Sequence, residues 1–119
     1  MPHAIEEKAR KFLIQKLTEN GSTVVSSDKK TFDLIVDGKY AEIKAKNKDL
    51  KNLDFISLSD KQYQAARAED FSIYLVCNLL ENNPKIYKIS SSELLQKRAR
   101  IITSYEFDRS ILVNLCRPL

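Results

Sequence analysis

Apolar side chains recur at Ile5, Ala9, Phe12, Leu13 and Leu17, the spacing of one helix face, and predict a helix over residues 4–19. Asn20-Gly21 follows and ends it, because both residues tolerate a left-handed backbone. The period then shortens to two. A β-branched run at residues 23–26 and a polar loop at 27–30 lead to apolar runs at 31–36 and 39–46, separated by Asp37-Gly38. Asp-Gly between two such runs predicts a type I′ hairpin, which needs positive φ at both central residues. Residues 47–57 read as irregular. Ser59 with Gln62 three positions later is a capping-box pattern that opens a helix to about residue 69. The continuous apolar run at 72–78 predicts a strand covered on both faces. Pro84 precedes a strand at 85–89, Ser90 with Glu93 opens a helix through about Arg98, and 110–115 reads as a final strand.

The order is αβββαβ followed by β, α and β additions, which predicts an α/β domain with a mixed central sheet flanked by helices. With 119 residues and no repeat or composition break, the chain reads as one domain over 1–119. A composition of 43% apolar and 30% charged residues, with 2 Gly and 3 Pro, excludes collagen-like and disordered chains. No apolar run is long enough to cross a bilayer, so no membrane partner is expected. The N-terminal residues lack the basic-then-apolar layout of a secretory signal, and a cytoplasmic location is expected. Cys77 and Cys116 lie in apolar, strand-like stretches and read as buried free thiols. Two Cys and one His exclude a Cys/His metal site. His3 precedes the first helix and takes no role, while Tyr63 and Tyr74 fall on core-like positions.

Counting outward from Asp37-Gly38 pairs Val36 with Lys39, Ile35 with Tyr40, Leu34 with Ala41 and Asp33 with Glu42. Side chains alternate along a strand. Phe32, Leu34, Val36, Ala41, Ile43 and Ala45 therefore share an apolar face, and Asp33, Glu42 and Lys44 share the other with Ile35 and Tyr40. Like charges directly opposite one another destabilise a hairpin. A divalent cation makes use of them, since Mg²⁺ is held by one or two carboxylates plus waters and a substrate phosphate. Lys44 reaches the same space, where it can hold a water or stabilise charge developing at phosphorus. The alternative is a solvent-facing hairpin with scattered charges.

Lys plus Arg exceed Asp plus Glu by 20 to 16, a net charge of +4 that favours polyanionic partners. Lys44, Lys46, Lys48 and Lys51 form one basic cluster, and Lys97, Arg98 and Arg100 form another. Lys46, Lys48 and Lys51 are candidate contacts to a nucleic-acid backbone. Tyr40 has two readings, a ring that stacks on a nucleotide or a partly buried aromatic. No Gly-rich phosphate loop, nucleophile elbow or HExxH occurs.

The Phe-Asp33-Leu-Ile-Val … Ala-Glu42-Ile-Lys44 pattern resembles the signature of the PD-(D/E)XK nuclease superfamily, with Phe32 in place of the Pro. The resemblance covers about residues 4–78 and its restriction-endonuclease-like and resolvase-like or VRR-type branches. It implies an αβββαβ restriction-endonuclease-like core and Mg²⁺-dependent hydrolysis of phosphodiester bonds, with Mn²⁺ as a substitute. Asp33 and Glu42 would be metal ligands, the Ile43 carbonyl a third, and Lys44 the catalytic lysine. Leu58-Ser59-Asp60-Lys61-Gln62 resembles a stretch in which the Gln orders the site, so Gln62 is either a site residue or simply the capping-box partner. Glu6-Glu7-Lys8-Ala9 resembles a first-helix Glu-x-x-Ala in which the Glu assists the metal; a solvated helix-start glutamate is the other reading. DNA is expected before RNA, and a homodimer is a further expectation. The alternatives are a catalytically inactive nucleic-acid-binding or assembly subunit of this fold, and a toxin-like ribonuclease.

Overall fold

In the computed structural model the N-terminal periodicity becomes helix Pro2–Glu19 (α1), followed by strand Val24–Ser26 (β1). Leu34–Val36 (β2) and Lys39–Ala45 (β3) flank Asp37 and Gly38, whose φ values are 50° and 82°. The hairpin register is Val36↔Lys39, Ile35↔Tyr40 and Leu34↔Ala41, as a two-residue turn requires. A 3₁₀ turn Leu50–Asn52, strand Phe55–Leu58 (β4), helix Asp60–Ala68 (α2) and strand Ser72–Cys77 (β5) come next. The chain continues through Lys85–Ser90 (β6), Ser91–Leu95 (α3), Arg100–Ile101 (β7), Tyr105–Asp108 (β8), Arg109–Leu115 (α4) and Arg117–Pro118 (β9). The structure describes residues 2–81, 83–97, 100–101 and 105–119, and of residues 2, 3, 100 and 101 the backbone alone.

This is a mixed α/β fold. The main sheet has the order β1-β2-β3-β5-β6-β9, with β3 and β5 parallel and its other described pairs antiparallel. A parallel pair needs a crossover, and the segment carrying α2 provides it. Every residue of β5 is buried, because both faces of the sheet are covered. On one face Ala9, Leu13 and Leu17 of α1 pack with Leu34, Val36, Ala41, Tyr74 and Val76. On the other, Ala66, Leu94 and Leu112 from α2, α3 and α4 pack with Ile73, Leu75 and Cys77. A second sheet, β4-β8-β7, contributes Ile56, Leu58 and Phe107 to that second core. Among the described residues no helix is long and apolar enough to cross a membrane.

Several sequence expectations are corrected. Residues 47–57 are not irregular throughout: Leu50–Asn52 is a 3₁₀ turn and β4 begins at Phe55, with Ile56 and Leu58 fully buried and paired to Phe107 and Tyr105. The run at 110–115 is helical, not a strand. Asp108 caps it by accepting the Ile111 N–H at 3.2 Å, and Ile111, Leu112, Leu115 and Cys116 turn inward at helical spacing. Cys116 is therefore the residue that ends α4, not part of a strand. Both thiols are free, and burial pushes them up, Cys77 to about 11 and Cys116 to about 12.

Helix α3 ends at Leu95, and Ser90 makes no side-chain cap. Asp70 takes that role, accepting from the Ser92 N–H at 2.9 Å and from the Ser90 and Ser91 hydroxyls at 2.6 and 3.1 Å. Burial opposes the Asp70 charge, yet these bonds and Lys39 hold its carboxyl well below the ordinary range. His3 lies within α1, and the Arg98 end expected for α3 falls outside the described residues.

Strand β2 is shorter than the expected 31–36, and Phe32 does not share a face with Leu34. It packs in the opposite core, stacked on Tyr40 at 4.6 Å and edge-on to Phe71 at 4.8 Å. The strand alternation stops at Asp33, where the chain leaves the ladder.

Leu13 is fully buried between α1 and the sheet. Leu13→Ala is expected to cost about 2–5 kcal/mol, read as a lower denaturation midpoint at an unchanged slope.

Candidate active site

Asp33 is held from both sides. Its N–H donates to the Ala41 carbonyl at 3.0 Å, and its Oδ2 accepts from the Ile43 N–H at 2.8 Å. The side chain thus bonds to the β3 backbone, which turns the carboxylate toward Glu42. Glu42 is 6% exposed. Gln62 Nε2 donates to Glu42 Oε2, and Lys44 Nζ lies 3.6 Å from the same oxygen.

Gln62 joins the helix to this pair. Its Oε1 accepts from the Ser59 N–H at 3.1 Å and from Lys44 Nζ at 3.3 Å, and Ser59 Oγ accepts the Gln62 N–H at 3.1 Å. Gln62 thus completes the capping box of α2 and also donates to Glu42. Burial first, then the hydrogen bond and charge of Asp33, push the Glu42 carboxyl well above the ordinary carboxylate range, against the pull of Lys44.

These groups open onto a cleft of about 750 Å³ lined by Glu6, Glu7, Arg10, Asp33, Glu42 and residues 43–46. Glu6 lies on its wall from α1, but among the described residues no three His, Cys, Asp or Glu side chains gather as a metal cage. The donor set that remains, two hard carboxylates with room for water and a phosphate, suits Mg²⁺. A doubly charged ion there would also offset the Asp33 charge that, after burial, helps to raise the Glu42 carboxyl.

The basic run after β3 does not form one strip. Lys46 lines the cleft and Lys48 is exposed in the following loop. Lys51 lines a separate depression with Asp54, Asp108 and Arg109. Tyr40 is a packing residue: its ring is stacked on Phe32, Lys29 Nζ stands 4.8 Å over it, and its hydroxyl donates to Asp28 at 2.8 Å. Of the second basic cluster only the Lys97 side chain is described, and it is exposed.

Sequence reasoning missed Arg10. Its Nη1 donates to the Asp33 carbonyl at 3.2 Å and its Nη2 to Ser26 Oγ at 2.9 Å. The available signal was helical spacing, because Arg10 lies four residues after Glu6 on the same side of α1.

A family model described as Protein NO VEIN, C-terminal, matches residues 5–89. The chain belongs to the NO VEIN C-terminal family. The match to that family runs from α1 into β6 and takes in every residue lining the cleft, together with Gln62. Helices α3 and α4 and strands β7, β8 and β9 lie beyond it. No curated protein and no solved structure matches the chain.

With its carboxyl raised from the ordinary 4.5 to about 9, Glu42 makes the folded state bind more protons than the unfolded state between those pH values. Stability of the metal-free protein therefore falls as pH rises through neutral. Glu42→Gln keeps the shape and removes the charge. It is expected to flatten this slope and to raise Tm by several degrees at pH 8, measured by thermal melts across pH. A slope equal to the parent's contradicts this assignment.

Proposed function

We propose that this domain is a metal-dependent endonuclease that hydrolyses phosphodiester bonds in nucleic acid, DNA in preference to RNA. One observation carries the reading: two carboxylates brought together by the hairpin, one of them buried, with a lysine 3.6 Å away. The resemblance of Asp33, Glu42 and Lys44 to the PD-(D/E)XK signature supports it. So does an α/β fold in which Asp33 directly precedes β2 while Glu42 and Lys44 lie on the adjacent β3.

In this reading Asp33 and Glu42, with the Ile43 carbonyl, would hold Mg²⁺ or Mn²⁺. The ion when bound polarises the scissile phosphate and makes water a better nucleophile. Gln62 fixes the Glu42 carboxylate. Lys44 steadies the attacking water and the negative charge that builds at phosphorus as the P–O ester bond breaks. Glu6 is an auxiliary acid on the cleft wall. Two buried free thiols accord with a cytoplasmic site of action. A homodimer would address two strands.

A catalytically inactive binding or assembly subunit is the second reading. It draws on the closure of the network, since no buried side-chain nitrogen or oxygen lacks a partner among the described residues.

The deciding experiment is a cleavage panel of plasmid, single-stranded DNA, branched DNA and tRNA with Mg²⁺, Mn²⁺ or EDTA. Cleavage of DNA with metal and none in EDTA is expected, and cleavage of tRNA alone would favour the ribonuclease. Asp33→Asn and Lys44→Ala are expected to abolish cleavage while far-UV dichroism stays unchanged. Undiminished cleavage by either overturns the mechanism. Duplex binding without any metal-linked rise in Tm supports the inactive subunit.

A further inference from the structure

The cleft carries three cations, Arg10, Lys44 and Lys46, and only Lys44 is paired with a carboxylate among the described residues. Arg10 spends its two hydrogen bonds on uncharged acceptors, the Asp33 carbonyl and the Ser26 hydroxyl. Its positive charge is fixed in direction with no ion pair to it among the described residues, and a guanidinium has five donors, so several remain for a ligand. Lys46 follows Lys44 by two positions on the same side of the chain. It is partly buried, and no carboxylate pairs with it among the described residues. Burial first, and the neighbouring Lys44 charge second, hold its ammonium below the usual lysine range. A partly buried cation without a counterion on a cleft wall is costly unless an anion arrives.

Among the described residues, neither Arg10 nor Lys46 has a carboxylate within ion-pair distance, although Glu6, Glu7, Asp33 and Glu42 line the same cleft. The cleft, about 750 Å³, is also far larger than a single hydrated ion requires and falls in the range of ligand-sized sites. Glu6 and Glu7 share the lining, so the wall selects an anion at particular points and does not simply attract negative charge.

We propose that Arg10 and Lys46 form a phosphate seat beside the acid pair that takes a backbone phosphodiester of a nucleic-acid strand. This seat rests on the nuclease reading for its ligand class, but not on cleavage. Arg10 holds Asp33 and the strand together, so the phosphate neighbouring the scissile one is fixed relative to the acids. It is a binding residue through its free donors and a positioning residue through the Asp33 carbonyl.

The test is fluorescence anisotropy of a short labelled DNA duplex with the full chain in EDTA, across a salt series. Lys46→Gln and Arg10→Gln are each expected to weaken binding about 5–10-fold at low salt and to reduce the log–log salt slope by roughly 1. Arg10→Lys keeps the slope. Lys85→Gln, on the far groove lined by Phe12 and Leu119, removes the same charge and is expected to leave affinity near the parent's.

Equal losses for Lys46→Gln and Lys85→Gln overturn the seat, because net charge alone would explain them. Displacement of the duplex by low inorganic phosphate overturns the strand as its ligand. If Arg10→Gln fails to fold, Lys46→Gln alone decides. A protein that never cleaves but shows these losses retains the seat and loses only the catalytic reading.

Discussion

The whole site depends on one backbone constraint, the left-handed geometry of Asp37 and Gly38. Gly38 adopts it at no steric cost. Asp37 is a non-glycine at φ 50°, a conformation held by its hydrogen bonds to Thr23. The Thr23 N–H donates to Asp37 Oδ1 and the Asp37 N–H to the Thr23 carbonyl, each at 2.8 Å. Fixing this turn fixes the pairing of β2 with β3, and a slip of one residue would send Glu42 and Lys44 to the opposite face. Strand β1 is held through the same residue, so the edge of the main sheet and the position of the acids share a single anchor.

Once the register is set, the cost appears at Glu42. A carboxylate at 6% exposure beside a second carboxylate is unfavourable by both burial and repulsion. The chain offsets this with Gln62, with Lys44 and with the Ile43 N–H on Asp33. A fold without use for the arrangement would be better served by apolar side chains there. Membership of the NO VEIN C-terminal family covers the same stretch of chain.

What the sequence made legible was local chemistry. Asp37-Gly38 set the turn, Ser59 and Gln62 set the start of α2, and Ala9, Leu13 and Leu17 set the buried face of α1. Each is decided by residues within a turn or two of one another. The failures lie where distant partners decide. Strand β4 exists because β8 pairs with it from some fifty residues further on, and the short Ile-Ser-Leu alternation gives little sign of that. The 110–115 run is β-branched enough to read as a strand, yet the Asp108 cap and the buried position of Leu112 make it a helix. Phe32 was set on the wrong face because strict alternation cannot foresee the break at Asp33. Arg10 reaches the site through partners 16 and 23 positions away, and Lys51 is carried off by the 3₁₀ turn toward Arg109. In the candidate site, then, the acids and Lys44 were readable, and the cation opposite them was not.

Gln62 serves the helix and the acids with one amide group. Its oxygen closes the first turn of α2 while its nitrogen steadies Glu42. Any event that alters the demand on that nitrogen, whether loss of a proton or arrival of an ion, is felt by the amide as a whole. Through it the charge state of the cleft bears on how firmly α2 begins. Residue 62 is thus a point where drift is doubly constrained: a replacement adequate for the helix alone would loosen the acids, and one adequate for the acids alone would fray the helix.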